Sequence, residues 1–395
     1  MTPTLTAAMA LQDGLVELRR AIHAEPELGL HLPLTQEKVL ASLRGLPLEI
    51  TTGKALSSVT AVLNGSRPGP TVLLRADMDA LPLEEQADVE FRSTRGGVMH
   101  ACGHDLHTAM LVGAARLLSE SDFPGSVIFM FQPGEEGYAG AKMMIDEGVL
   151  EATWQKPVAA FALHVIPALP HGLVTCKGGP ILAAADTVSV RVRGLGGHSS
   201  TPHQTRDPIP PACEMVTALQ TYVTRAFDVF DPVVLTIGSF HSGHAPNIIP
   251  DDVTFTGTIR SFSPESQRRI EAGFHQVVNG VAAAHGVAVE IDYRQDYPVT
   301  VNDPGEAEFL GGAVRDLLGA DRYRDLPVPL PGSEDFSFVL GSVPGALALI
   351  SACPPDQDET TLPDIHSAEA VFDDSALARG SAIYAELALK RLNRV

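Results

Sequence analysis

The stretch Thr71-Val72-Leu73-Leu74-Arg75-Ala76-Asp77-Met78-Asp79 decides the fold. Its first four residues are a short apolar run, read as a strand buried on both faces, and two acids, Asp77 and Asp79, follow at its carboxyl end. The pattern recurs to either side. Apolar runs at 60–63, 127–131 and 158–163 read as further buried strands, whereas 106–118 and 139–150 repeat apolar residues at three and four, as helices do. Alternation of this kind predicts an α/β domain, a largely parallel central sheet flanked by helices. In such sheets a ligand sits beyond the carboxyl ends of the strands. Polar residues gather there: Asp77 and Asp79 after the second run, Glu135 and Glu136 after the third, His164 at the end of the fourth.

Near Ala183 the character changes. Residues 187–192 alternate polar and apolar, a Gly- and Pro-rich loop spans 194–211, and a helix at 212–226 is followed by strand candidates at 233–237 and 253–260. A helix at 264–285 and an alternating strand at 288–293 complete the order strand, helix, strand, strand, helix, strand, which predicts an inserted ferredoxin-like α+β unit. Three segments follow: 1–183 as the first part of the catalytic domain, 184–296 as the insert, and 297–395 returning to complete the first domain with helices at 304–318 and 375–392.

Composition narrows the function. Lys and Arg number 28 against 48 Asp and Glu, a net charge of −20, opposite in sign to what a nucleic-acid or anionic-membrane binder presents. An anionic substrate would need a locally positive pocket built from metal, His or Arg. No segment reads as a secretion signal or membrane span, so the expected location is cytoplasmic. Cys102, Cys176, Cys213 and Cys353 lie far apart with no C-x-x-C pair, which argues against a disulfide framework.

The densest chemical cluster is His100, Ala101, Cys102, Gly103, His104, Asp105, Leu106, His107. Neutral imidazoles and a thiolate suit Zn²⁺ and other first-row ions, and Cys102 and His104 can reach one ion from a tight turn. The bland alternative is a helix start capped by Asp105, with the flanking histidines merely exposed. Glu135 and Glu136, adjacent on a turn after an apolar strand, point in different directions, so one can bind metal while the other takes a proton from water. Alone, they would equally suit an acidic turn favoured by a helix dipole. His164 and His366 carry no signal individually; each gains weight only from this company. H-E-x-x-H, G-x-S-x-G and Walker A motifs are absent, and Gly194, Gly196 and Gly197 do not fit a dinucleotide fingerprint. A metal hydrolase, or a metal-binding protein without catalysis, is what these residues leave.

Residues 75–82, 100–107 and 132–137, then His164, Gly197 with His198, 247–250, 332–336 and His366 with Ser367, together resemble the amidohydrolase branch of the aminoacylase and carboxypeptidase family of dinuclear metallopeptidases. That branch holds hippurate hydrolases, indole-acetyl-amino-acid hydrolases and related N-acyl-amino-acid amidohydrolases. The likeness runs from about His23 to the C-terminus. It implies two metal ions bridged by Cys102, with His104 and His164 completing one site, Glu136 and His366 the other, and Glu135 as general base toward water between them. By the same resemblance Asp79 orients a ligand, and the insert is a lid and dimerisation module. His198 would then stabilise the oxyanion, in cis or from a partner subunit of a homodimer, while Asn247 and Arg260 would hold the substrate's carboxylate.

These readings predict a dinuclear metal-dependent amidohydrolase that cleaves N-acyl amino acids to a carboxylate and a free amino acid. The substrate would be a small molecule, with neither nucleic acid nor membrane as partner. A metallo-dipeptidase or carboxypeptidase using the same centre is the alternative, and a non-catalytic metal-binding protein a remoter one. The ligand types fit Mn²⁺ or Zn²⁺, and also Co²⁺ or Ni²⁺.

Overall fold

A computed structural model of the chain describes residues 2–394, which separate into two compact units. Among the described residues the first comprises 2–181, 301–328 and 335–394, the second 182–300 and 329–334.

The first unit is built on an eight-stranded sheet. Its early strands are β1 (Leu48–Thr52), β2 (Val59–Asn64), β3 (Arg67–Asp77), β4 (Pro124–Gln132), β5 (Ala159–Ile166) and β6 (Val174–Cys176). The order is β1-β2-β4-β3-β5, then Gly345–Ser351, β6 and Tyr323–Asp325. The four middle strands, β4, β3, β5 and Gly345–Ser351, run parallel. Antiparallel pairs flank them: β1 with β2, β2 with β4, and Gly345–Ser351 with β6. The run at 71–74 is thus the middle of a longer strand, because Arg75 continues it while buried, its charge met by Asp77 and Asp335.

Helices His104–Ser119 and Ala376–Leu392 pack together against this sheet, and the first is buried along its length except at Arg116 and Ser119. Two glycines allow the approach. A Cβ on Gly113 would lie 2.2 Å from Ser381 Oγ, and one on Gly380 would lie 1.9 Å from Met110 Sδ. The helix expected over 139–150 is shorter, Gly140–Asp146 followed by a 3₁₀ turn at Val149–Glu151, because Gly148 takes φ +93° between them.

In the second unit, strands Ala184–Arg193, Val233–Ser242, Asp252–Ser261 and Ala288–Tyr297 form an antiparallel sheet. Ala184–Arg193 and Asp252–Ser261 lie in its middle, and helices Ile209–Ala226 and Pro264–His285 connect the strands in ferredoxin-like order. Val188, Val190 and Val192 are fully buried in one core with Met215, Ile270 and Phe274 from the helices, as the alternation at 187–192 requires. Among the described residues no helix is long and apolar enough to cross a membrane.

Candidate metal centre

The centre forms where β3, β4 and β5 end. Cys102 and His104 flank Gly103, whose φ of +81° opens the helix His104–Ser119; a Cβ there would lie 2.3 Å from Val165 Cγ2, so the turn admits only glycine. Glu135 and Glu136 follow β4 on a turn between Gly134 (φ +73°) and Gly137 (φ +86°). Asp79, just beyond β3, fixes that turn: its carboxylate accepts the Glu135 and Glu136 backbone N–H groups, each at 3.0 Å. Its own carbonyl accepts from His104 Nδ1 at 2.9 Å. His164, near the end of β5, donates from Nδ1 to the Val165 carbonyl at 2.8 Å. His366 holds a left-handed backbone (φ +64°), rare for a residue with a Cβ, and its N–H donates to the Ala101 carbonyl at 2.8 Å. That bond seats His366 beside the Cys102 turn, with Nε2 3.3 Å from Glu136 Oε1.

Potential ligand atoms therefore converge. Those of Cys102, His104 and His164 lie within 4.8 Å of one another, as do those of Cys102, Glu136 and His366, and those of His104, Glu135 and Glu136. Cys102 is common to the first two groups. With Nδ1 of His104 and His164 donated to carbonyls, each Nε2 is left to face the cluster; that of His164 is 3.4 Å from Cys102 Sγ. His104 Nε2 and Glu136 Oε1 are buried and make no hydrogen bond. Buried polar atoms are rarely left so, and a thiolate, imidazoles and a carboxylate are the donors that borderline divalent ions take. The residues fit a metal.

Electrostatics agree with the geometry. Burial pushes the Cys102 thiol up, yet His164 and His104 beside it outweigh burial and bring it down to about 6. Burial would lower His164, but the Cys102 thiolate raises it to about 9. The Cys102 thiolate and the Glu136 carboxylate beside it raise His366 to about 10.

Several residues whose partners the sequence did not reveal support this cluster. Arg75 donates to Gln132 Oε1 (2.8 Å), Asp77 Oδ2 (2.7 Å) and Asp335 Oδ1 (2.9 Å), all buried. His107, counted among the cluster's imidazoles, has both nitrogens engaged: Nδ1 donates to Asp77 Oδ1 at 2.5 Å and Nε2 accepts from Val165 N–H at 2.8 Å. Asp105 does not cap the helix. It accepts from Arg19 Nε at 2.7 Å and His23 Nδ1 at 2.8 Å, and His23 Nε2 donates to Glu85 at 3.0 Å. His100 and His107 are buried rather than exposed, and burial lowers His100 to about 3. Pairing across distant segments leaves no local pattern; only the acids at the strand ends hinted at Asp77.

In the second unit, strand Gly197–His198 pairs with Ile248–Ile249, so Ile248 lies opposite His198, and Ser199 N–H donates to the Asn247 carbonyl at 3.2 Å. His198 and Asn247 thus share one small ladder. Arg260 stands on the four-stranded sheet opposite Val234 and Ala185, its Nη1 donating to the Ile259 carbonyl at 3.1 Å.

The family described as Peptidase family M20/M25/M40 matches residues 73–390. Among curated proteins, the chain is 36% identical over 390 residues to thermostable carboxypeptidase 2 of Saccharolobus solfataricus, covering 97% of each chain. It is 35% identical over 382 residues to hippurate hydrolase of Campylobacter jejuni, again covering 97% of each. Among solved structures, the Bacillus subtilis YXEP protein, a dinuclear metal-binding peptidase of the M20 family, aligns at TM-score 0.83 and 30% identity over 98% of this chain and 99% of that one. The chain belongs to peptidase family M20/M25/M40 and is a metal-dependent hydrolase of amide bonds.

Proposed function

We propose that the chain hydrolyses the amide bond of N-acyl amino acids, releasing a carboxylate and a free amino acid, at a centre holding two divalent ions. The observation that carries this is the sharing of Cys102 between two groups of ligand atoms, which lets one thiolate face two ions at once. Cys102, His104 and His164 would hold one ion, Cys102, Glu136 and His366 the other, with Zn²⁺ or Mn²⁺ the ions such donors suit. Bound there, the ions supply Lewis acidity toward the amide carbonyl and lower the pKa of water.

The remaining work falls to the chain. Glu135, adjacent to the proposed ligand Glu136, takes the proton of the attacking water and delivers it to the leaving amine nitrogen. Asp79 holds both glutamates at the correct spacing through their backbone N–H groups. His198 as oxyanion donor, and Asn247 with Arg260 as the clamp on the substrate's carboxylate, belong to the same proposal and rest on the family resemblance. So does a homodimer formed through the second unit.

Carboxypeptidase action is a second reading, favoured by the 36% identity to a carboxypeptidase. Both substrate classes present an amide next to a free carboxylate. Metal-stripped protein should release no amino acid from N-acetyl, N-benzoyl and longer N-acyl amino acids, and Zn²⁺ or Mn²⁺ should restore release, measured by mass spectrometry. Release only from dipeptides and longer peptides would transfer the proposal to the peptidase reading. Glu135→Gln should lower kcat by at least ~10²-fold, the low end for a general base, with metal content unchanged; undiminished turnover would remove Glu135 from its role.

A further inference from the structure

The backbone pairing of β3 with β5 ends at Arg75 and Ala162. Past that point side chains from two helices join the strands. Tyr384 Oη donates to the Arg75 carbonyl at 2.7 Å and accepts from Leu163 N–H at 2.8 Å. One step further out His107 does the same, Nδ1 donating to Asp77 Oδ1 and Nε2 accepting from Val165 N–H. The steps, 75 to 77 on one strand and 163 to 165 on the other, keep the two-residue period of a strand. These rungs hold open a fork between strands that would otherwise continue to pair or separate freely. At its mouth stand Asp79, which holds His104, and His164, whose Nε2 faces Cys102.

A backbone N–H can only donate, so His107 Nε2 carries no proton and Nδ1 does. Fully buried and engaged at both nitrogens, this imidazole has no lone pair left for a metal. We propose that His107 is a positioning residue: by bridging Asp77 to the Val165 N–H it sets the width of the fork, and with it the spacing of His104 and His164 about Cys102 that receives a metal ion. The inference rests on the ligand set proposed above. It predicts that the two halves of the bridge can be removed separately. Asn at this position retains a donor near the place of Nδ1, Gln an acceptor near the place of Nε2, and Leu neither.

The test begins with metal-free protein. In the ¹⁵N spectrum the His107 proton is on Nδ1, and the Val165 amide exchanges with solvent faster in H107N and H107L than in wild type or H107Q. Calorimetric titration with Zn²⁺ follows, with the optical spectrum of the Co²⁺-loaded protein as a probe of ligand geometry. H107N and H107Q should each weaken binding of an ion by about 10- to 100-fold, the range for outer-shell partners, and shift the sulfur-to-cobalt and d–d bands; H107L should do more. A proton on Nε2 overturns the inference. So do H107N and H107Q proteins that fold, load Zn²⁺ as wild type does and give the wild-type cobalt spectrum. Wild-type protein that takes up neither Zn²⁺ nor Co²⁺ is a different failure: it overturns the proposed ligand set, and the inference falls with it.

Discussion

Cys102 and Cys176 are both buried, both unpaired and both in the first unit, yet their thiols move in opposite directions. Burial pushes each up. At Cys176, on β6, burial prevails: Sγ donates to the Leu347 carbonyl at 3.4 Å and lies 3.4 Å from Asn302 Nδ2, the charges of Lys177 and Asp325 act in opposite directions, and the thiol rises to about 12. At Cys102 two histidines answer it, and the thiol falls to about 6. Depth alone therefore does not mark a reactive cysteine; the charge facing it does.

Replacing each cysteine should separate these roles. Cys102→Ala should abolish loading of at least one ion and lower kcat/KM by more than about 100-fold, beyond the loss expected for an outer-shell partner. Cys176→Ala should leave metal content and kcat/KM unchanged and reduce unfolding stability by on the order of 1 kcal/mol, an ordinary figure for a point mutant. Metal analysis and denaturant unfolding measure both. Equal metal loss in the two variants would erase the contrast.

A smaller effect sharpens it. In metal-free protein the ultraviolet thiolate band assigned to Cys102 by difference from Cys102→Ala should titrate near pH 6, protonated below and ionised above, whereas Cys176 should stay silent through pH 10. His164→Ala should move the Cys102 midpoint upward, because the charge that lowers it is gone. A midpoint that stayed put would reassign the shift to another neighbour.

The same distinction explains what was legible in the sequence. Cys102 and His104 could be singled out because they share one turn, and Glu135 and Glu136 because they follow an apolar run; chain proximity carried the message. His164 and His366 needed the company of these motifs, and the structure brings their ligand atoms to Cys102. The two-handed grip of Asp79 on the glutamate turn was not legible, since it depends on β3 and β4 ending together with Asp77 opposite Gln132. Nor was the direction of His107: periodicity shows that a helix face is buried, not which strand end an imidazole will bridge. The burial of Arg75 was not legible either, because one of its two countercharges, Asp335, lies 260 residues away. The central strands and both units' element order were visible because apolar runs and alternation are local patterns.

Carboxylates extend the contrast to a smaller, pH-dependent effect. Asp105 and Asp186 are both buried, and burial raises the pKa of each. Arg19 and His23 then carry Asp105 well below the usual carboxylate range, whereas Tyr293 and Gln267, neutral donors, leave Asp186 raised. The signs follow by linkage. A depressed carboxylate adds stability that is present above its unfolded pKa of about 4 and is lost as pH falls toward its folded value. A raised one contributes fully below about pH 4 and loses that contribution as pH rises through its folded value. In metal-free protein at pH 7, Asp105→Asn should reduce stability by about 3 kcal/mol, the lower figure for breaking a buried pair, and the deficit should shrink as pH falls from 5 toward 2. Asp186→Asn should show the opposite slope, comparing best with wild type at higher pH. Urea unfolding at each pH reads both slopes. Parallel slopes would mean that burial, rather than the charge of the partners, governs both acids.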